Sequence, residues 1–307
     1  MKLIFAGTPQ FAVEPLRALH AKFGVAAVVT QPDKPQGRKG ILTPSPVKQA
    51  ALELGIPVLQ PQRLKTDDSL LRQAGGDALI TCAFGQILTQ EVLDLYPMGV
   101  WNIHASLLPE YRGAAPIPRV IIDGKKETGV SIMKTDVGVD TGDVLLQERM
   151  EILNTDTAQS LSEKLSSLGA KLICEAIGTI ERGEYALQRQ GEGNVCKKVQ
   201  RTQVDFSKTS QEVDCLIRGL SPAPLAFGVI GGLTLNFYAS EETLWEGKEK
   251  SGTVVCADPK RGLIVKCGEN AVKILQLQPS GGKRMAARDF LNGKKVSEGM
   301  CFDQPVL

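Results

Sequence analysis

The sequence predicts an α/β protein in two parts: a parallel sheet with covering helices, then a smaller β-rich domain. Three observations carry this. Residues 2–6 (Lys-Leu-Ile-Phe-Ala) form an apolar run that turns at Gly7-Thr8-Pro9, then a helical pattern, then a β-branched run over 25–30, a strand–helix–strand unit with short joints. Residues 77–83 (Asp-Ala-Leu-Ile-Thr-Cys-Ala) are apolar almost throughout, as suits a strand covered on both faces. Beyond Ser207 the chain changes to short β-rich runs between glycine turns.

In the first helix Ala12, Leu16, Leu19 and Phe23 recur at helical spacing; Pro9 precedes it and Gly24 stops it. A second helix ends over 50–54, a short strand covers 57–59, and a helix is expected over 64–73. Strands follow at 77–83, 99–105, 128–134 and 143–150. The longest helix starts after Asn154-Thr155-Asp156, good capping chemistry, and carries one apolar stripe of Leu161, Leu165, Leu168, Leu172, Ala176 and Ile180 before Gly183. Periodicity is then lost until residue 208, which marks a linker. One helix over 211–219 precedes five short strands, which fit a small barrel of the OB kind or an antiparallel sandwich.

The chain has 307 residues, 42% hydrophobic and 23% charged, with a net charge of +2. That describes an ordinary folded chain and gives no global signal for nucleic acid or membrane. No apolar run is long enough to span a bilayer, and the opening apolar stretch is too short for a secretory signal, so a cytoplasmic protein is expected. No feature calls for a protein partner, and a monomer is expected. The seven cysteines are scattered without a C-x-x-C pair, and His20 and His104 are the only histidines, so neither a structural zinc site nor an H-E-x-x-H site is expected. Neither the phosphate-binding G-x-x-x-x-G-K-[ST] nor the dinucleotide G-x-G-x-x-G follows the first strand, which argues against a nucleotidase or a dinucleotide oxidoreductase.

Candidate chemistry concentrates between residues 99 and 143. Within Val100-Trp101-Asn102-Ile103-His104 a strand sends alternate side chains to opposite faces, so Asn102 and His104 share one side. Such a pair is either a mutually satisfied buried couple or the edge of a site at the carboxyl end of a strand. In Asp136-Val137-Gly138-Val139-Asp140-Thr141-Gly142-Asp143 three carboxylates lie among glycines, either as a polar turn or with one acid reaching His104 for proton handling. The run lacks the pattern of a calcium loop.

These stretches, with Ala105-Ser106-Leu107-Leu108-Pro109 and Tyr111-Arg112-Gly113-Ala114-Ala115-Pro116, resemble the core of the folate-dependent formyltransferases. Gly7-Thr8-Pro9-Gln10-Phe11-Ala12, Thr30-Gln31-Pro32-Asp33-Lys34-Pro35 and Gln278-Pro279-Ser280-Gly281-Gly282-Lys283-Arg284-Met285 extend the resemblance along the whole chain. In Cys82-Ala83-Phe84-Gly85-Gln86-Ile87-Leu88, Phe84 replaces the family's usual tyrosine and keeps the ring without its hydroxyl.

The resemblance implies a Rossmann-like formyltransferase domain over 1–183, a basic linker over 184–208 and an OB-like tRNA-binding domain over 209–307. It implies 10-formyltetrahydrofolate as donor, no metal, and the α-amine of methionyl initiator tRNA as acceptor. Asn102, His104 and Asp140 match the family's catalytic trio. Ser106, Leu107, Leu108 and Pro109 match its folate-binding stretch, with Phe84, Gly85 and Ile87 expected at the pterin pocket. A relative acting on a sugar-nucleotide amine, or one hydrolysing the formyl folate, is the alternative.

Residues 31–50 hold Lys34, Arg38, Lys39 and Lys48 against Asp33, a local +3, and Arg38 and Lys39 are candidate tRNA contacts. The linker adds Lys197 and Lys198, and the C-terminal part Lys283 and Arg284. With aromatic residues at 5%, shape and phosphate contacts are expected rather than base stacking.

Overall fold

The computed structural model describes residues 1–37, 40–293 and 295–305. The chain forms two compact units: Met1–Pro116 with Glu127–Glu151 and Ser162–Cys196, and Ile117–Lys126 with Ile152–Leu161 and Lys197–Leu307. The expected linker therefore divides, its residues through Cys196 clustering with the first unit and those from Lys197 with the second.

Strands of the first unit are β1 (Leu3–Gly7), β2 (Ala27–Val29), β3 (Lys34–Gln36), β4 (Ile41–Thr43), β5 (Val58–Leu59), β6 (Ala78–Cys82), β7 (Val100–His104), β8 (Arg112–Gly113), β9 (Glu127–Lys134), β10 (Val144–Glu151) and β11 (Val195–Cys196). Helices along the same stretch are α1 (Val13–Phe23), α2 (Pro46–Glu53), α3 (Ser69–Ala74), α4 (Gln90–Leu93), α5 (Pro116–Ile122) and α6 (Ala158–Arg182). Seven strands make one sheet in the order β10-β9-β7-β6-β1-β2-β5, with β9 antiparallel to β7 and to β10 and the other pairs parallel.

Burial explains the strand sequences. Every residue of β1 and β6 is buried, so these strands have no polar face to alternate with. The α6 stripe from Leu161 to Ile180 is buried as its spacing predicts. α1 ends where Gly24 takes φ +73° and donates its N–H to His20 O. The helix expected over 64–73 begins only at Ser69, because Ser69 N–H donates to Asp67 Oδ1 in a turn that competes with helix upstream. The basic stretch after β2 is not wholly loop: β3 and β4 pair antiparallel within it.

Sheet order also locates the crevice. From β1 the chain steps to β2 and β5 on one side, then crosses to β6 on the other. The switch point therefore lies at the carboxyl ends of β1 and β6, where open α/β sheets bind ligands. There Thr8 Oγ1 donates to Phe84 O at 2.9 Å.

The second unit contains β12 (Thr202–Gln203), β13 (Ala226–Ile230), β14 (Leu233–Thr243), β15 (Val254–Asp258), β16 (Gly262–Lys266), β17 (Ala271–Pro279) and β18 (Met285–Ala286), with α7 (Ser210–Gly219) and α8 (Ala287–Leu291). The sheet runs β12-β13-β14-β17-β16-β15 with β18 on β17, antiparallel except for β12 on β13. Its core centres on Phe206, Phe237 and Phe302, whose ring centroids lie 5.0–6.4 Å apart.

Candidate active site

β7 distributes its side chains as strand alternation requires. Trp101 is fully buried, with Nε1 donating to Met98 O at 2.9 Å. Ile103 faces α6, where a Cβ added to Gly169 would come within 2.9 Å of its Cγ2, so the glycine lets the helix pack close. Asn102 and His104 take the opposite side.

Register with β6 fixes Asn102. Thr81 pairs with Asn102 across the two strands, and its Oγ1 donates to Asn102 Oδ1 at 2.9 Å. The acceptor end of the amide is thus held, and Nδ2 turns toward the 136–143 loop, donating to Asp140 Oδ1 at 3.3 Å. His104, only 5% exposed, gives its Nε2–H to Tyr111 O at 2.9 Å. Its other nitrogen, Nδ1, lies 3.6 Å from Asp140 Oδ2. Chemistry at this imidazole is therefore confined to Nδ1.

Asp140 reaches both partners through an unusual backbone. It sits at φ +53°, a conformation that Asp tolerates better than most side chains. Gly142 allows the loop to close, because a Cβ there would lie 1.8 Å from Lys134 O. The Asp140 carboxylate also accepts the Gly113 N–H at Oδ2, 2.8 Å away. Gly113 itself sits at φ +99°, and a Cβ on it would meet Cys196 O at 2.7 Å.

An amide donor, an imidazole and a carboxylate thus meet around one loop at the end of a central strand. The expected trio of Asn102, His104 and Asp140 is brought together. One Asn102 amide hydrogen is directed at Asp140, which leaves a second for an incoming oxygen. Replacing Thr81 by valine keeps the shape but frees the amide. The expected result is a roughly fivefold lower kcat with an unchanged melting temperature, from the ~1 kcal/mol of one hydrogen bond. Steady-state kinetics beside a thermal melt would check it.

The other predicted residues are placed less uniformly. Gly85 and Ile87 are exposed, Ile87 by 73%, but the Phe84 ring is 4% exposed and packs in the core with Ile4, Ala6 and Leu88. Ala83, Gly85 and Ile87 are the exposed residues of this stretch. Ser106 spends its hydroxyl on Glu110 O, and Leu108 packs with Met133 and Val144; Leu107 and Pro109 are half-buried.

Arg38 and Lys39 lie outside the described residues. Of their neighbours in the basic count, Lys48 donates to Asp33 and Gln60, and hydrogen bonds from Lys48 first and Gln60 second hold the Asp33 carboxyl below its ordinary range. Lys34 donates to Gln31. Lys197, Lys198, Lys283 and Arg284 are exposed in the second unit. Arg284 lies over the Tyr238 ring at 4.4 Å and donates to Gln276 Oε1. Arg201, in the basic linker stretch, lies over the Phe227 ring at 3.8 Å. Aromatic support for the basic side chains thus exists despite the low aromatic content.

Sequence patterning missed Thr81, Gln190 and Asn194. Asn194 Oδ1 accepts the Tyr111 N–H, and Gln190 joins Arg112 to the Asp140 loop. Both come from the aperiodic stretch after α6, where the only signal is an excess of amide side chains. Among the described residues no group of three or more His, Cys, Asp or Glu side chains is placed to hold a metal ion, and no helix is long and apolar enough to cross a membrane.

The fold and this cluster gather an amide donor, an imidazole and a carboxylate at the carboxyl edge of a doubly wound sheet, an arrangement suited to group transfer. The chain matches the formyl transferase family over residues 1–177 and the family's C-terminal domain over 197–295. It belongs to the formyl transferases. Similar proteins include the methionyl-tRNA formyltransferase of Chromobacterium violaceum, 44% identical over 97% of this chain and 98% of that one. Those of Macrococcus caseolyticus (43%, 99% of each) and Bacillus subtilis (41%, 97% of this chain and 96% of that one) also match. Among solved structures, the sugar 3N-formyl transferase WlaRD superposes with a TM-score of 0.65 at 21% identity, covering 89% of this chain and 97% of that one. That likeness concerns the fold.

Proposed function

We propose that this chain transfers the formyl group of 10-formyltetrahydrofolate to the α-amine of methionine carried by initiator tRNA. The observation that carries the acceptor is the near full-length likeness, across both units, to methionyl-tRNA formyltransferases. The folate donor would lie along the switch-point crevice, against the exposed edge at Ala83, Gly85 and Ile87 and the 106–109 stretch. The exposure of Ala83, Gly85 and Ile87 leaves this edge open to a ligand.

Each residue of the cluster has a role that its geometry supports. Asn102, held at Oδ1 by Thr81, offers an Nδ2 hydrogen to the formyl oxygen as negative charge develops on it. His104, committed at Nε2, carries a proton at Nδ1, on the side of Asp140. Asp140 orients that imidazolium and accepts a proton from the attacking amine as the new C–N bond forms. One proton is lost from the amine and one is delivered to the departing N10, so the pair acts as a relay without net consumption.

Charge in the second unit supports the RNA reading. Lys197, Lys198, Lys283 and Arg284 are exposed cations suited to phosphates, with Arg38 and Lys39 as further contacts, and we read the antiparallel sheet as an OB-like tRNA-binding domain. Substrates and protein are expected to meet in the cytoplasm, with the enzyme acting as a monomer.

A labelled formyl donor incubated with charged initiator tRNA, charged elongator tRNA or free methionine tests the acceptor. Labelled formyl-methionine is expected only with the initiator. Equal labelling of free methionine would remove the tRNA reading, and formate release without any acceptor would instead mark a hydrolase.

A further inference from the structure

Asp140 lies in a loop whose neighbours Val137, Gly138, Val139 and Thr141 are exposed, and a glycine stands two residues to either side. Bonds inside the loop, from Thr141 Oγ1 and Gly138 N–H to Asp136, shape the turn but do not tie Asp140 to the rest of the unit. The Asp140 side chain is held by Gly113 and Asn102, and its main chain is tied by Gln190, fifty residues further along the chain. Its Nε2 donates to Asp140 O at 3.1 Å and to Gly142 O at 2.6 Å, using both amide hydrogens on carbonyls that flank the bend. Its Oε1 accepts from Arg112 Nε at 3.0 Å and Nη2 at 2.8 Å, and Nη2 also donates to Gly191 O at 2.9 Å.

Chemistry fixes the direction of this amide. Guanidinium nitrogens only donate and backbone carbonyls only accept, so no other orientation of Gln190 satisfies its four contacts. Arg112 leads directly into Gly113, whose N–H holds the Asp140 carboxylate. The two ends of the clasp therefore grip Asp140 twice, by its main chain through Gln190 and by its side chain through the residue after Arg112.

We infer that Gln190, oriented by Arg112, is a positioning residue that sets Asp140 against His104 and Asn102. This inference rests on the proposed role of Asp140. A left-handed backbone flanked by glycines has several accessible turns, and a displacement of about 1 Å at a reacting group lowers turnover on the order of 100-fold. Gln190 removes that freedom.

Two variants separate positioning from folding. Gln190→Glu keeps the acceptor for Arg112, now as an ion pair, but turns the donor end into an oxygen facing two carbonyls. Gln190→Ala removes both ends. The expected result is a kcat lowered roughly 10- to 100-fold in each, with KM for the donor and for charged tRNA within about threefold of the parent. Gln190→Glu should retain the parent melting temperature; if Gln190→Ala fails to fold, Gln190→Glu alone carries the measurement.

The discriminating readout is the effect in an Asp140→Asn background. There Gln190→Glu should lower kcat by less than about threefold, because the group it positions is already disabled. Additive losses, or parent-like kcat in Gln190→Glu, would overturn the positioning role while leaving the site intact. Parent-like turnover in Asp140→Asn alone would instead overturn the proposed role of Asp140, and the clasp's role with it.

Discussion

Replacing His104 by alanine is expected to lower kcat for formyl transfer on the order of 10³-fold, with KM for either substrate changed only a few-fold. The size follows from what the ring alone supplies. Its Nδ1 lies 3.6 Å from Asp140 Oδ2, and no second histidine can substitute, since His20, on α1, uses its Nδ1 to accept the Val25 N–H. Folding should be little affected. The Tyr111 carbonyl loses the imidazole but keeps the Cys196 thiol at 3.7 Å, so the stability change is about 1 kcal/mol. His104→Gln sharpens the measurement, because a glutamine amide can donate to the same carbonyl yet cannot relay a proton. Equal collapse of kcat in both variants, with intact tRNA binding, fits a proton-handling ring. A His104→Gln enzyme at a tenth or more of parental turnover would mean that the ring only holds Tyr111 in place.

The parts of this site that could be read from sequence are those governed by period. Strand alternation alone puts Asn102 and His104 on one face, and the glycines around Asp140 announce a loop able to turn back toward them. What was not readable depends on register and on long-range return. Thr81 meets Asn102 only because β6 and β7 pair at that register, which a one-residue slip would undo and which the residue pattern of the two strands does not encode. Gln190 arrives from a stretch without hydrophobic rhythm, whose position is fixed by β11 pairing with β8 rather than by burial. That the Phe84 ring packs among Ile4, Ala6 and Leu88 is set by tertiary structure rather than by a local period. The local +3 of residues 31–50 does not reveal that Lys48 is bonded to Asp33 and Gln60, which is a tertiary fact. The order of β1, β2, β5 and β6 is likewise invisible in the strands themselves, and it is that order which places the crevice.

The second large effect concerns stability, and it tests whether the β-rich unit can be disabled without touching the chemistry. Asp214 and Arg218 lie one turn apart on α7, with side chains only 6% and 8% exposed. Arg218 Nε donates to Asp214 Oδ2 at 2.6 Å, Nη1 to Asp156 O at 2.9 Å, and Nη2 contacts Cys215 Sγ at 3.3 Å, while Ser240 Oγ donates to Asp214 Oδ1 at 2.7 Å. Burial, partly offset by Arg218, raises the Cys215 thiol above its ordinary range, so the sulfur stays neutral and does not replace the carboxylate as counter-charge. Asp214→Ala therefore leaves a guanidinium buried with one carbonyl and a thiol. The expected loss is about 3–5 kcal/mol of unfolding free energy for this unit, seen as an early transition in urea. The double variant Asp214→Leu with Arg218→Met removes both charges and should recover most of that loss, because the penalty lies in the unpaired charge rather than in the missing bond. Kinetics follow from the placement. Since Asn102, His104 and Asp140 all belong to the first unit, warming Asp214→Ala should raise KM for tRNA before kcat falls. A loss below about 1 kcal/mol in the single variant would show that water reaches Arg218 and that the pair is not a buried determinant of this unit.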